Sequence, residues 1–302
     1  MAKGKVAFIG SGVIGTGLAV NFMLHGYEAA MQTRRQVELA NKRVGEMLET
    51  LRENNVITAE QAEQARARCF VTTSIEEAAT GACFVQESGP ENVEMKKSLI
   101  AEIEKYVGPD IPIASATSAF IPSQIQEGAK HPERILVGHP YLPAYIIPLV
   151  EMCGSETTSP GAIEKARALY RDAGKEVIVA RKEKSGCIVN RLSWAANAEA
   201  KKTVIEGICT VEEMDKAIMY GPGLRMAVLG QITTIGIGLG ENGYYDSVLK
   251  YGTEMTPEAK IIAEGYKQAL SARDPSTGND YKSVSAWRDK MLIGILRLRG
   301  LL

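Results

Sequence analysis

The chain has 302 residues, 45% of them hydrophobic, with 35 basic and 36 acidic side chains and a formal charge of −1. That length supports two domains with a core each, and the balanced charge makes no electrostatic case for nucleic acid or a membrane surface. No run of about 18 apolar residues exists, glycines interrupt the core a signal peptide would need, and five scattered cysteines, never spaced C-x-x-C, fit a reducing cytoplasm rather than a disulfide frame or a zinc site.

Residues 6–9 form a short apolar run that predicts a strand buried on both faces. Gly10, Gly12 and Gly15 follow as G-x-G-x-x-G, with Val13 and Ile14 before the last glycine. Leu18, Ala19, Phe22 and Met23 then recur at helical spacing up to Gly26, and residues 27–31 predict the next strand. Between strand and helix the three glycines allow, in turn, the tight turn, the approach of a pyrophosphate to the backbone, and close helix–strand packing. The pyrophosphate would meet the free amides of the helix N-terminus. A glycine-rich turn in some other α/β unit is the plainer alternative.

NAD-binding versions of this unit carry an acidic residue at the end of the second strand for the ribose 2′-hydroxyl. Here that place holds Thr33, followed by Arg34 and Arg35. A carboxylate would repel a 2′-phosphate, whereas a hydroxyl and guanidiniums bind one by charge-assisted hydrogen bonds. NADP(H) is therefore favoured over NAD(H), the alternative being that the arginines are solvated surface charges.

Val37, Ala40, Val44, Met47, Leu48 and Leu51 continue as an amphipathic helix. Thr58 with Gln61, and Ser74 with Glu77, predict capping boxes. Strands are expected at 69–71, 82–86, 111–116, 135–137, 146–150 and 176–180, and a helix at 91–106. Ser159-Pro160 opens a further helix that Gly174 stops. This alternation means a doubly wound, mostly parallel sheet. After the charged hinge at 181–186 the strand pattern fades: one long helix is expected at 188–208, Thr210 caps the next, and the remainder is helical around a glycine-rich loop at 236–243.

With only His25, His131 and His139 present, a histidine-cluster metal site is not expected and none is assigned. Ligands in open α/β sheets bind at the strands' C-terminal ends, and four polar residues stand in apolar company there. Glu151 ends an apolar run, His139 follows the strand at 135–137, Ser118 follows the strand at 111–116, and Asn190 lies on the helix past the hinge. A histidine oriented by a carboxylate takes a proton from a hydroxyl near neutral pH, and serine and asparagine can hydrogen-bond the reacting oxygen. Position alone leaves the structural readings open: a satisfied core histidine, and serine or asparagine capping turns.

Gly10-Ser-Gly-Val-Ile-Gly15, Glu87-Ser-Gly-Pro-Glu91, Ser115-Ala-Thr-Ser118, Gly138-His-Pro140, Pro148-Leu-Val-Glu151 and Ser185-Gly-Cys-Ile-Val-Asn-Arg191 occur in the order seen in the 3-hydroxyacyl-CoA dehydrogenase family, which the chain resembles over most of its length. The resemblance implies that His139 is the catalytic base, Glu151 its partner, Ser118 and Asn190 the contacts to the substrate oxygen, and Glu91 and Lys96 contacts to the cofactor. It also implies a helical second domain that forms a homodimer interface. His139-Pro-Tyr-Leu-Pro143 resembles the branch of L-gulonate 3-dehydrogenase (lambda-crystallin) and carnitine 3-dehydrogenase, which oxidise free acids, more than the His-Phe-Phe-Asn-Pro of the acyl-CoA enzymes. Gly221-Pro-Gly-Leu-Arg225 resembles a turn of that branch, and Arg225 is placed either to anchor a substrate carboxylate or to pair with a nearby acid. Leu142, in place of an asparagine near the nicotinamide, and Thr33, in place of the ribose-binding aspartate, depart from the family.

The expectation is thus a Rossmann-type domain over residues 1–184 and an all-helical substrate and dimerisation domain over 185–302. The favoured function is cytoplasmic, nicotinamide-dependent oxidation of the 3-hydroxyl of a small free acid. An L-3-hydroxyacyl-CoA dehydrogenase, and a cofactor-binding structural or sensor protein with little catalysis, are the competing readings. The intact set of Ser118, His139, Glu151 and Asn190 argues against the last.

Overall fold

Eight strands form one sheet in the computed structural model, which describes every residue except Met1, Arg35 and Thr253, and the backbone alone of Leu249. They are β1 (Lys5–Ile9), β2 (Glu28–Gln32), β3 (Cys69–Thr72), β4 (Phe84–Glu87), β5 (Ile113–Ser115), β6 (Ile135–Pro140), β7 (Leu149–Cys153) and β8 (Glu176–Ala180). Their spatial order is β3-β2-β1-β4-β5-β6-β7-β8. From β1 the chain winds first to one side and then, beginning with β4, to the other, so the crevice of a doubly wound sheet opens at the C-terminal ends of β1 and β4. Among the described strands the β6–β7 pair alone is antiparallel.

The sheet is covered on both faces, which is why its strands read as unbroken apolar runs. Side chains alternate between faces. Val6 and Phe8 pack with Leu18, Phe22, Met31, Phe84 and Tyr170 on one side, and Ala7 and Ile9 with Val85, Ile100, Ile113 and Val137 on the other. The helix Val13–Leu24 follows the glycine turn directly. Gly10 holds φ at 108°, a left-handed-side value that L side chains rarely adopt. A Cβ at Gly15 would drive into the Gly10 carbonyl.

Several expectations shift for local reasons. The strand expected at 146–150 begins only at Leu149, because the amides of Ile146 and Ile147 turn back onto the Pro143 carbonyl at 3.0 and 2.8 Å. Thr58 and Gln61 form the full capping box. Ser74 does not: its hydroxyl accepts from the Glu77 amide, but the Glu77 carboxylate is taken by the Thr72 hydroxyl. Gly236 and Gly238 lie inside the helix Gln231–Leu239 rather than in a loop, and a Cβ at Gly236 would collide with the Tyr266 ring. The Gly221–Arg225 stretch forms a short helix, Pro222–Met226, rather than a turn.

The chain divides into two compact units, Met1–Ala195 and Ala196–Leu302, the helix Val189–Ile205 carrying it from one to the other. The second unit is helical, with a small core of Leu229, Ile237 and Val284. The helices Val189–Ile205, Val211–Tyr220 and Pro222–Met226 bury no residue. Ile205, Val211, Met219 and Tyr220 are each more than half exposed. No described helix is long and apolar enough to cross a membrane.

Candidate active site

A pocket of 610 Å³ opens over the glycine turn, lined among others by Gly10, Gly12, Gln32, Thr33, Arg34, Arg43 and Ser88. Gly12 faces open space, where a pyrophosphate can reach the backbone amides. Val13 is exposed and Ile14 half-buried on the first turn of the helix. The Ser88 hydroxyl is buried without a hydrogen-bond partner among the described residues, an orphaned group that asks for a ligand. Glycine turn, open face and orphaned hydroxyl together fit a dinucleotide.

At the far end of the pocket Thr33 is buried and Arg34 exposed, while Arg35 lies outside the described residues. Arg43 was not singled out from sequence. Its guanidinium crosses from the helix Val37–Glu53 to the Ser11 carbonyl at 2.9 Å, bringing a second described cation to a pocket wall that holds no carboxylate among its described residues.

Beneath the crevice the end of β4 carries a buried ionic network. Lys96 and Glu87 are both essentially unexposed, with Nζ 3.0 Å from Glu87 Oε2 and 3.4 Å from Glu91 Oε2. The Ser115 hydroxyl donates to Glu87, so every charge buried here is paired or hydrogen-bonded. Lys96 is committed to these carboxylates and lies under the loop rather than on its surface. Glu91 Oε1 accepts from the Thr117 hydroxyl at 2.6 Å and from the Ser118 and Ala119 amides at 2.9 and 2.8 Å. Burial would raise the Glu91 carboxyl, but the Thr117 and backbone hydrogen bonds and the Lys96 charge hold it below the usual range.

His139 and Glu151 are paired residues of the β6–β7 ladder. Both are buried, and His139 Nδ1 lies 3.3 Å from Glu151 Oε2. Glu151 Oε1 accepts the amides of Ile188 and Val189 at 2.8 and 3.0 Å, a carboxylate on the free amides of the helix that begins at Val189. One side chain thus orients the imidazole and fixes the helix carrying Asn190. The hinge is tied to the loop after β5 as well, the Gly186 amide donating to the Ser118 carbonyl at 2.9 Å and the Ser185 hydroxyl to the Ala119 carbonyl at 2.9 Å. Among the described residues neither the Ser118 hydroxyl nor the Asn190 carboxamide has a hydrogen-bond partner.

Sequence reasoning missed Glu87, Lys175 and Cys187. Lys175 is buried, its ammonium donating to the carbonyls of Ala144 and Ile147, and desolvation lowers it to about 8. It pins the loop between His139 and Glu151, whose Ala144 rests against Gly17 of the first helix. Burial, then the Glu151 charge, push the Cys187 thiol up to about 12. A lysine just after a glycine stop reads as an ordinary surface charge, and nothing in its spacing discloses the loop it holds. Arg225 lies at the end of its short helix in the second unit.

Residues 5–184 match the family described as 3-hydroxyacyl-CoA dehydrogenase, NAD binding domain, and residues 186–275 match 3-hydroxyacyl-CoA dehydrogenase, C-terminal domain. The chain is 37% identical to an L-carnitine dehydrogenase of Streptomyces griseus subsp. griseus, covering 98% of this chain and 90% of the relative. It is 38% identical to an L-carnitine dehydrogenase of a Pseudomonas species, covering 97% and 93%. A solved 3-hydroxyacyl-CoA dehydrogenase from Archaeoglobus fulgidus DSM 4304 superposes with a TM-score of 0.70 at 25% identity, covering 99% of this chain and 100% of that one.

Proposed function

This chain belongs to the 3-hydroxyacyl-CoA dehydrogenase family, and from that premise we propose that it oxidises the 3-hydroxyl of a small free acid of the carnitine kind, with His139 as the base. It is an oxidoreductase that acts on a CH–OH group with a nicotinamide cofactor. The observation that carries the assignment of residues is the cross-strand pair, His139 Nδ1 on Glu151 Oε2. Nδ1 donating to the carboxylate leaves Nε2 as the basic nitrogen, free to take the hydroxyl proton, and Glu151 stabilises the imidazolium that results.

When bound, the nicotinamide supplies the hydride acceptor. Gly10, Gly12, Val13, Ile14 and Gly15 would hold its pyrophosphate. Glu91 and Lys96 would support the loop beside it, Lys96 from below through Glu87 and Glu91. The Ser118 hydroxyl and Asn190 carboxamide, unpartnered among the described residues, are assigned to the substrate oxygen, where charge develops. Arg225 is assigned to the carboxylate of the acid, and the relatives named L-carnitine dehydrogenase favour a free acid over a thioester.

Thr33, Arg34 and Arg43, without a facing carboxylate among the described lining residues, support NADP(H) over NAD(H). Residues 1–184 are assigned to cofactor binding and 185–302 to substrate binding and dimerisation. The apolar side chains exposed on helices that bury nothing support a homodimer. The five free cysteines accord with a cytoplasmic setting. The test is to incubate the protein with a panel of 3-hydroxy acids including L-carnitine, with NAD and NADP separately, and follow reduced nicotinamide. Turnover of none of them overturns the assignment.

A further inference from the structure

One nucleophilic side chain beside the pair has no part in the reaction. Cys187 lies on the hinge ahead of the helix Val189–Ile205, and one ligand atom each from Cys187, His139 and Glu151 lie within 4.8 Å of one another. Zinc sits about 2.3 Å from sulfur and about 2.0–2.2 Å from nitrogen and oxygen, so tetrahedral ligands stand roughly 3.3–3.8 Å apart. His139 Nδ1 and Glu151 Oε2 are already 3.3 Å apart, and the trio closes around an ion with side-chain shifts of about 1 Å.

We propose that Cys187 Sγ, His139 Nδ1 and Glu151 Oε2 form an inhibitory site for a thiophilic divalent cation of the zinc and cadmium class. Thiolate, imidazole and carboxylate in a small site, buried at His139 and Glu151 and half-buried at Cys187, suit such an ion better than calcium or magnesium, which take oxygen ligands. The carboxylate is oriented in advance, since its other oxygen is held by the Ile188 and Val189 amides. Glu151 and Cys187 both line a cavity of 360 Å³, which gives the ion a way in. Lys182, Lys184 and Arg191 line it too; all three are exposed, and solvent screening leaves them slowing entry rather than forbidding it.

The exchange balances. The cation takes the place of the proton between His139 and Glu151, that proton moves to Nε2, and the thiol proton is released to solvent. The ring stays neutral, but its one basic nitrogen is now protonated, and turnover stops. The inhibition, though not the binding, rests on His139 being the base.

The test uses the full chain freed of metal with a chelator. Cadmium titration should raise a sulfur-to-cadmium charge-transfer band at one equivalent, and zinc should inhibit turnover reversibly on chelation. In Cys187→Ala the band should vanish, and the zinc concentration that halves activity, relative to that variant's own metal-free rate, should rise at least tenfold. Cys187→Ser repeats the comparison should the alanine variant misfold. A band or inhibition unchanged by both substitutions overturns the site. A band at Cys187 with undiminished turnover leaves an ion on the thiol but overturns the inhibitory site.

Discussion

His139 and Glu151 face each other directly across the β6–β7 ladder, their side chains meeting Nδ1 to Oε2 at 3.3 Å. Opposed residues of an antiparallel pair project from the same face. The reversal between β6 and β7, the single one among the described strands, is therefore what brings the carboxylate to the imidazole. The same carboxylate takes the first amides of the helix bearing Asn190, so strand pairing and helix start are set by one group.

His139→Gln should leave cofactor affinity, measured by titration of the reduced nucleotide's fluorescence, nearly unchanged. The kcat should fall by about 100-fold or more, the usual contribution of a positioned base. Wild-type-like turnover would remove His139 from the mechanism.

Cofactor choice should follow charge at the end of β2. The wild type is expected to prefer NADP in kcat/KM, and Arg34→Ala should weaken NADP far more than NAD, since only the former loses a charge partner. Equal losses with the two cofactors would make Arg34 a surface charge.

Arg225→Met keeps much of the packing of the stem and removes the fork. Arg225 is exposed in the free chain, and a loss of roughly 2 to 4 kcal/mol in kcat/KM is expected for a 3-hydroxy acid, as for a charged hydrogen bond that the bound acid shields from water. The corresponding neutral amide should be a poor substrate and nearly indifferent to the change. Equal losses for acid and amide would make the arginine structural.

Lys175 carries a pH signature. Its folded value is lowered from 10.5 to about 8 by burial, so between those values the unfolded chain holds a proton that the folded chain has released. Stability then rises with pH across that window. The melting temperature of the wild type should therefore climb from pH 8 to 10 relative to Lys175→Met, on top of a constant loss of about 1–3 kcal/mol in the variant from two carbonyls left unpaired. A difference independent of pH would mean that the folded chain keeps the Lys175 proton across this window, as the unfolded chain does.

The glycine turn and the strands beside it were legible because their requirements are local: a left-handed-side φ at Gly10 and no room for a Cβ at Gly15. His139 and Glu151 stood out as polar residues at the ends of apolar runs. Their pairing was implied by the family resemblance and not by position, because the strand opposition behind it depends on a reversal that the bends at Pro143 create and no periodicity records. Glu87 fell just past the strand expected at 82–86, whereas it closes the observed one, and only the fold reveals Lys96 beneath it. Arg43 lies within a helix whose register, not its sequence, aims it at Ser11. Gly236 misled in the other direction: a glycine that reads as loop is required inside a helix by the Tyr266 ring.

The comparison that bears most directly on the proposed function is kcat/KM for a free 3-hydroxy acid against that for its coenzyme A thioester, measured on the wild type by nicotinamide reduction. Binding energy for the acid is expected to come from Arg225 and the polar groups at the reacting carbon, and the thioester has no carboxylate to offer them. The free acid should be turned over at least about 100-fold more efficiently, the worth of one charged hydrogen bond that the bound acid shields from water. Equal or better turnover of the thioester would contradict the free-acid assignment and return the chain to the acyl-CoA enzymes of its family.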